Sequence, residues 1–346
     1  MTSTLHIGVN IDGVLHRDDM PPVDAEARFR MIADAGVFDY VEMNPPAGAD
    51  LAPYIGLSGR YALPVSVLGG IFCAGRDEAH LRHLIEWVPR LGSKILNCQL
   101  YANHADGHRL TDAEVVQFYA QTCEWAAPSG CIPCFEVHVD MWSEDFSCVA
   151  RVGEWLAREG IPLRLTLDHS HLIFKIGNAA ELDASRIRPL VEAGEIVLDP
   201  ASPEAIFNQW IARGWVHHAH ARSVIPNNPP NARMRRPDGR PGRGIQYPFV
   251  RPAADQWDGT WDEAALAPWK DAVRHLLNAR AKGHSATPQH ISCEFIPFAD
   301  YGGGAGYSIF DNNVACAAWL RNTWRELTAG QHVMAAEPER QQLQSL

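Results

Sequence analysis

The chain has 346 residues and a formal net charge of -11, with 30 Lys and Arg against 41 Asp and Glu, which argues against broad nucleic-acid binding through a basic surface. No apolar stretch reaches the ~18 residues that a membrane-spanning helix requires, and the opening Met-Thr-Ser-Thr-Leu-His-Ile-Gly lacks the basic and apolar regions of a secretory signal. Eight cysteines without the spacing of a disulfide module fit a reducing, cytoplasmic setting.

In chain order, Leu5 to Val14 (LHIGVNIDGV) reads as a first strand running into a loop. Val23 to Gly36 has helical spacing, with Gly36 as its stop. Asp39 to Met43 is a second strand and Leu63 to Gly70 a third. Asp77 to Leu91 is a helix with Leu81, Leu84, Ile85 and Val88 on one face. A fourth strand covers Lys94 to Leu100. Thr111 and Glu114 form a capping-box pattern that opens a helix running to Ala127.

The fifth strand, Cys134 to Asp140, alternates: Glu136 and His138 share one face, Phe135, Val137 and Val139 the other. A carboxylate in such surroundings is costly unless it is paired or holds a metal. Cys131-x-x-Cys134 just before it has no second CxxC, so packing is the expected role. Phe146 to Glu159 is a helix ended by Gly160, and Leu163 to Asp168 is the sixth strand. Two helices, near 180–193 and 203–213, precede a seventh strand, Trp215 to Arg222. The eighth strand is His290 to Pro297, and Asp311 to Leu327 closes as an amphipathic helix. Eight strands alternating with helices imply a single (β/α)8 TIM barrel over residues 1–327. The Pro- and Arg-rich segment 224–261 is expected as a long structureless loop over the C-terminal face, a lid or a partner surface, and 328–346 as a polar, frayed tail.

Four candidate metal ligands stand near the C-terminal ends of consecutive strands: Glu136, Asp168, His220 and Glu294. Three carboxylates and one imidazole suit Mn²⁺, Mg²⁺ or Co²⁺ better than a thiolate-rich zinc site. In the seventh strand His218, His220 and Arg222 share a face, with His218 deeper and Arg222 nearer the mouth, where it is placed to hold a substrate oxygen.

These residues, with His171 three positions after Asp168, resemble the xylose-isomerase-like barrels, the sugar phosphate isomerase/epimerase group, over nearly the whole chain. The resemblance implies one divalent metal (Mn²⁺ first, then Mg²⁺, Co²⁺ or Zn²⁺) on Glu136, Asp168, His220 and Glu294. It also implies proton transfer by Glu136 and Glu294, and substrate contacts from Arg222, His171 and His218. The third and fourth strands lack the histidines of the related apurinic endonucleases.

A metal beside carboxylates suits removal of a proton next to a carbonyl. The expected function is therefore metal-dependent isomerisation or epimerisation of a keto sugar. His138 is the first candidate for the extra acid or base, because histidine is the usual choice near neutral pH; an orienting role beside a ligand is the alternative. The catalytic subunits of C-glycoside deglycosidases resemble this group and cleave 3-oxo-C-glycosides by β-elimination with a small β-rich partner subunit. Tyr247, Phe249, Trp257 and Trp261 would suit an aryl aglycone or pack a lid. A non-catalytic sugar-binding barrel is the reading from another class. The expected partner is a small carbohydrate or glycoside, with no nucleic acid and no membrane, in a homo-oligomer.

Overall fold

The computed structural model describes residues 4–17, 20–257, 259–284 and 287–343, with side chains of the last helix described to residue 329. Eight parallel strands close on themselves: β1 (His6–Asn10), β2 (Tyr40–Met43), β3 (Val65–Phe72), β4 (Ile95–Leu100), β5 (Ile132–Val137), β6 (Leu165–Asp168), β7 (Val216–Ala221) and β10 (His290–Cys293). Their order around the barrel is β1-β10-β7-β6-β5-β4-β3-β2. The helices between the strands are α1 (Ala25–Ala35), α2 (Ala52–Tyr61), α3 (Glu78–Leu91), α4 (Asp112–Ala126), α5 (Phe146–Arg158), the short α6 (Ser170–Ile173), α7 (Ala179–Ala184), α8 (Arg188–Glu192) and α9 (Ile206–Ala212), and α10 (Ala267–Ala281). This is the TIM barrel expected from the alternation of periods.

Local chemistry sets the ends of these elements. The Asp24 side chain accepts the Ala27 N–H at the start of α1, and Gly36 stops the helix at φ 64°. Thr111 and Glu114 form the reciprocal capping box at α4. The expected first strand is shortened because Asn10 turns its side chain onto the Asp12 N–H and starts a 3-10 turn. The eighth barrel strand also ends early. The N–H groups of Phe295 and Ile296 go to the side chains of Asn313 and Gln246 instead of a neighbouring strand.

The barrel interior is layered. Its floor is a small apolar cluster of Tyr40, Val67, Ile95 and Cys134, separate from the main core between strands and helices. Gly8 makes room for it, since a Cβ there would lie 2.3 Å from the Tyr40 ring. Cys134 is thus barrel packing, and burial raises the Cys131 thiol to about 12. All eight cysteines are unpaired. Above the floor comes a polar layer. Tyr40 Oη lies 2.9 Å from Ser292 Oγ, which lies 3.2 Å from His218 Nε2, and His218 Nδ1 lies 3.2 Å from Thr166 Oγ1.

The Pro- and Arg-rich insertion is not structureless. It carries a two-stranded antiparallel sheet, β8 (Asn231–Arg235) with β9 (Pro241–Gly242). Arg243 then reaches back to Glu144 (2.5 Å) and Glu181, while Arg236 pairs with Asp140 at 2.7 Å. Of the aromatic residues in this segment, Phe249 packs against Trp269 and Trp319, and the Trp261 indole donates to the Pro248 carbonyl. Trp257 alone of that expected set lines a cavity at the mouth. The last helix, α11 (Ile309–Leu343), continues past Leu327 into the segment expected as a frayed tail, whose residues 344–346 lie outside the described residues. No helix among the described residues is long and apolar enough to cross a membrane.

Candidate metal centre at the barrel mouth

The register of the strands brings the four candidate ligands to one height. Asp168 on β6 pairs across to His220 on β7, and His220 pairs to Ser292 on β10, two residues before Glu294. Glu136 pairs to Thr166, two residues below Asp168. Inward residues of a strand alternate, so these side chains enter the barrel together. Ligand atoms of Glu136, Asp168, His220 and Glu294 all lie within 4.8 Å of one another, and all four residues are buried.

Each of the four has an outer atom fixed by a neighbour and an inner atom turned to the common centre. Glu136 Oε2 accepts from Asn97 Nδ2 and Gln99 Nε2, both at 2.7 Å, while Oε1 lies 3.1 Å from His220 Nδ1. Glu294 Oε1 accepts from Asn10 Nδ2 at 3.0 Å, while Oε2 lies 3.0 Å from His220 Nδ1. Asp168 Oδ1 accepts from the Ser170 N–H at 2.8 Å, while Oδ2 meets Arg222. His220 Nε2 lies 3.0 Å from Glu42 Oε1, leaving Nδ1 inward.

The charges are concentrated. Burial alone would push His220 down, but Glu294, Glu42 and Glu136 outweigh it and hold the imidazole well above its ordinary range. Burial raises Asp168, opposed chiefly by Arg222. Arg222 itself, expected to reach for substrate, is buried with its guanidinium on Asp168 and 3.0 Å from Glu294 Oε2. The donor set fits a hard divalent cation: three carboxylates and one imidazole converge in a place closed to water, and their charge exceeds what Arg222 and His220 neutralise.

The other candidates fall at two levels. His138 lies just beyond the end of β5 and faces the site, within 4.8 Å of ligand atoms on Glu136 and His171. Its Nδ1 lies 2.6 Å from the Val139 carbonyl, which only accepts, so Nδ1 carries the proton. Nε2 then accepts from the Tyr301 hydroxyl at 2.7 Å. His171 packs 4.1 Å from the His138 ring and receives Arg222 on Nε2 at 3.0 Å. Burial, then His138 and Arg222, push His171 well below its ordinary range. His218 sits lower, in the polar layer between Thr166 and Ser292, and supports the site from beneath.

Sequence reasoning passed over several participants. Glu42 on β2 is fully buried and forms a second close group with His218 and His220. The signal was present, since Tyr40-Val-Glu-Met sets one carboxylate among apolar neighbours just as the fifth strand does. Asn97 and Gln99 stand on a strand noted only for its missing histidines. Tyr301, in a glycine-rich loop, covers the centre with its ring 4.1 Å from the Arg222 guanidinium carbon.

This barrel, with its acidic and histidine centre at the C-terminal strand ends, has the xylose-isomerase-like TIM fold. No protein-family model matches the chain and no curated protein sequence matches it. Among solved structures it is similar to a xylose isomerase-like TIM barrel protein from Mycobacterium smegmatis in complex with magnesium. That match has 11% identity and a TM-score of 0.55, covering 94% of this chain and 98% of the other. It is also similar to an L-ribulose 3-epimerase at 14% identity and TM-score 0.53, covering 95% and 98%. A xylose isomerase domain protein from Planctomyces limnophilus gives 12% identity and TM-score 0.51, covering 94% and 99%.

Proposed function

We propose that this protein is a divalent-metal-dependent carbohydrate enzyme of the isomerase/epimerase type, removing a proton next to the carbonyl of a keto sugar. The observation that carries this reading is the convergence of ligand atoms of Glu136, Asp168, His220 and Glu294, all buried, within 4.8 Å at the strand ends. These four residues would hold one cation, for which Mn²⁺ is our first choice and Mg²⁺, Co²⁺ and Zn²⁺ the others. Such a cation, when bound, supplies Lewis-acid polarisation of a carbonyl and a neighbouring hydroxyl. An L-ribulose 3-epimerase and a magnesium-bound barrel among the similar structures accord with this reading.

The chain's own residues supply the rest. His138 offers a lone pair at Nε2, held by the Tyr301 hydroxyl until substrate displaces it, and takes the carbon-bound proton. Glu136 and Glu294 are the alternative bases, each with an inward oxygen. Arg222 and His171 are placed to hold substrate oxygens, and a cation on the four ligands would supply the charge that Asp168 and Glu294 otherwise draw from Arg222. His218 positions this set from below. Tyr301 excludes water from the centre. Incubation with ketoses in D₂O tests the reading: deuterium entering the ketose at the carbon beside the carbonyl, and stopping with chelator, is the expected result. No exchange with any ketose and no effect of chelator would contradict it.

A second reading is favoured by a cavity of about 250 Å³ beyond Tyr301, lined in part by Trp257, Tyr307 and Pro230. Its size and aromatic walls suit an aryl group attached to the sugar. In that case the same proton abstraction leads to β-elimination of a 3-oxo-C-glycoside, with a small β-rich partner subunit. Aglycone release from such a glycoside, in place of deuterium exchange, distinguishes the two. The eight unpaired thiols accord with work in the reducing cytoplasm.

A further inference from the structure

We propose that Glu42 is a positioning residue that fixes the tautomer and ring orientation of His220 so that Nδ1 presents its lone pair to the metal centre. The inference rests on the metal reading above and names a residue that reading does not require. Glu42 lies on β2, three strands round the barrel from β7, and its side chain is fully buried. Its Oε1 is 3.0 Å from His220 Nε2. A carboxylate oxygen accepts, so the ring nitrogen donates.

A neutral imidazole carries one N–H. A cation at the centre would take the place of the Nδ1 proton that faces Glu136 Oε1 at 3.1 Å and Glu294 Oε2 at 3.0 Å; with the remaining proton held at Nε2 by Glu42, the lone pair would belong to Nδ1. Glu42 thus does for His220 what Asn97 and Gln99 do for Glu136, and what Asn10 does for Glu294. It secures the outer atom and frees the inner one. The difference is charge. An acceptor is needed here because the imidazole keeps its outer proton and donates it in a hydrogen bond, whereas the carboxylates need donors.

Glu42 is a poor device for stability alone. Its Oε2 is buried with no hydrogen-bond partner among the described residues, and His218 Nε2 stands 3.7 Å from it. Burying a carboxylate so incompletely paired disfavours folding unless it serves another end. Its alignment on the outward nitrogen of the only imidazole in the ligand set supplies that end.

The test compares the parent protein with Glu42→Leu and Glu42→Gln. Co²⁺ affinity is measured by chelator competition, the visible spectrum of the Co²⁺-loaded protein is recorded, and thermal melting in chelator checks the fold. Glu42→Leu is expected to weaken Co²⁺ binding by roughly 10–100-fold and to shift the spectrum, as loss of an outer carboxylate partner does. Glu42→Gln keeps an acceptor oxygen of the same reach, and its loss is expected to be smaller, with the same sign. A folded Glu42→Leu that binds as tightly as the parent with an unchanged spectrum overturns the role of Glu42 alone. If Glu42→Leu does not fold, Glu42→Met, which fills the space without an acceptor, is read in the same way. A parent that takes up no Co²⁺ overturns the metal reading, and the role of Glu42 falls with it.

Discussion

Tyr301 closes the centre over His138: its hydroxyl lies 2.7 Å from His138 Nε2 while its ring lies over the Arg222 guanidinium. The nitrogen it covers is the one with the free lone pair. His138→Ala is therefore expected to lower proton exchange into substrate by roughly 10²–10⁴-fold, the usual cost of losing a general base, while metal content stays at the parent level. Deuterium exchange paired with elemental analysis checks this. Exchange at the parent rate would move the base to Glu136 or Glu294.

Tyr301→Phe keeps the ring over Arg222 and removes the hydroxyl from His138. The expected result is retained metal binding with a change in kcat smaller than that of His138→Ala. Tyr301→Ala removes the cover as well, and chelator is expected to strip metal from it faster than from the parent. Stopped-flow chelation measures both.

The insertion is tied to the mouth by a buried ionic network. Lys175 Nζ is 2.9 Å from Glu144 and Arg243 is 2.5 Å from the same carboxylate. Burial would raise Glu144, but Lys175 and Arg243 hold it well below its ordinary 4.5. A carboxyl depressed in the folded state contributes stability that is present above the unfolded value and is lost as pH falls towards the folded one. Stability of the parent is therefore expected to decline on acidification below about pH 4.5. Glu144→Gln is expected to lose about 3 kcal/mol at neutral pH, because it removes the carboxylate that two buried cations, Lys175 and Arg243, share, and to show a flatter acid limb. Denaturant titrations across pH measure both.

The barrel floor gives a prediction independent of the site. Gly8 leaves no room for a Cβ, which would stand 2.3 Å from the Tyr40 ring. Gly8→Ala is expected to destabilise the fold by roughly 1–3 kcal/mol through overpacking, read as a lowered Tm with unchanged metal stoichiometry.

Much of the barrel was legible because its signals are local. Period-2 strands, helical stripes, the Thr111–Glu114 capping box and the Gly36 stop each need only a few adjacent residues. The four acidic and histidine candidates stood out because each lies near the C-terminal end of its own strand, on four consecutive strands. Glu42 carries the same local signature, but its meaning lies in a partner 178 residues away. Arg222 looked like a substrate residue from its place on β7, and only the assembled site shows Asp168 and Glu294 holding its charge. The hairpin of the insertion was hidden for a related reason. Its arginines read as loop composition until Glu144, Glu181 and Asp140, 62 to 99 residues away, are in place.

The central claim is that Glu136, Asp168, His220 and Glu294 form one metal centre. The most direct measurement is elemental analysis after loading with Mn²⁺ and removal of excess, on the parent and on Asp168→Asn and Glu294→Gln. One tightly held equivalent per chain in the parent, lost or greatly weakened in both variants, is the expected result. A parent that retains no divalent metal, or variants that retain it as tightly as the parent, would contradict the claim.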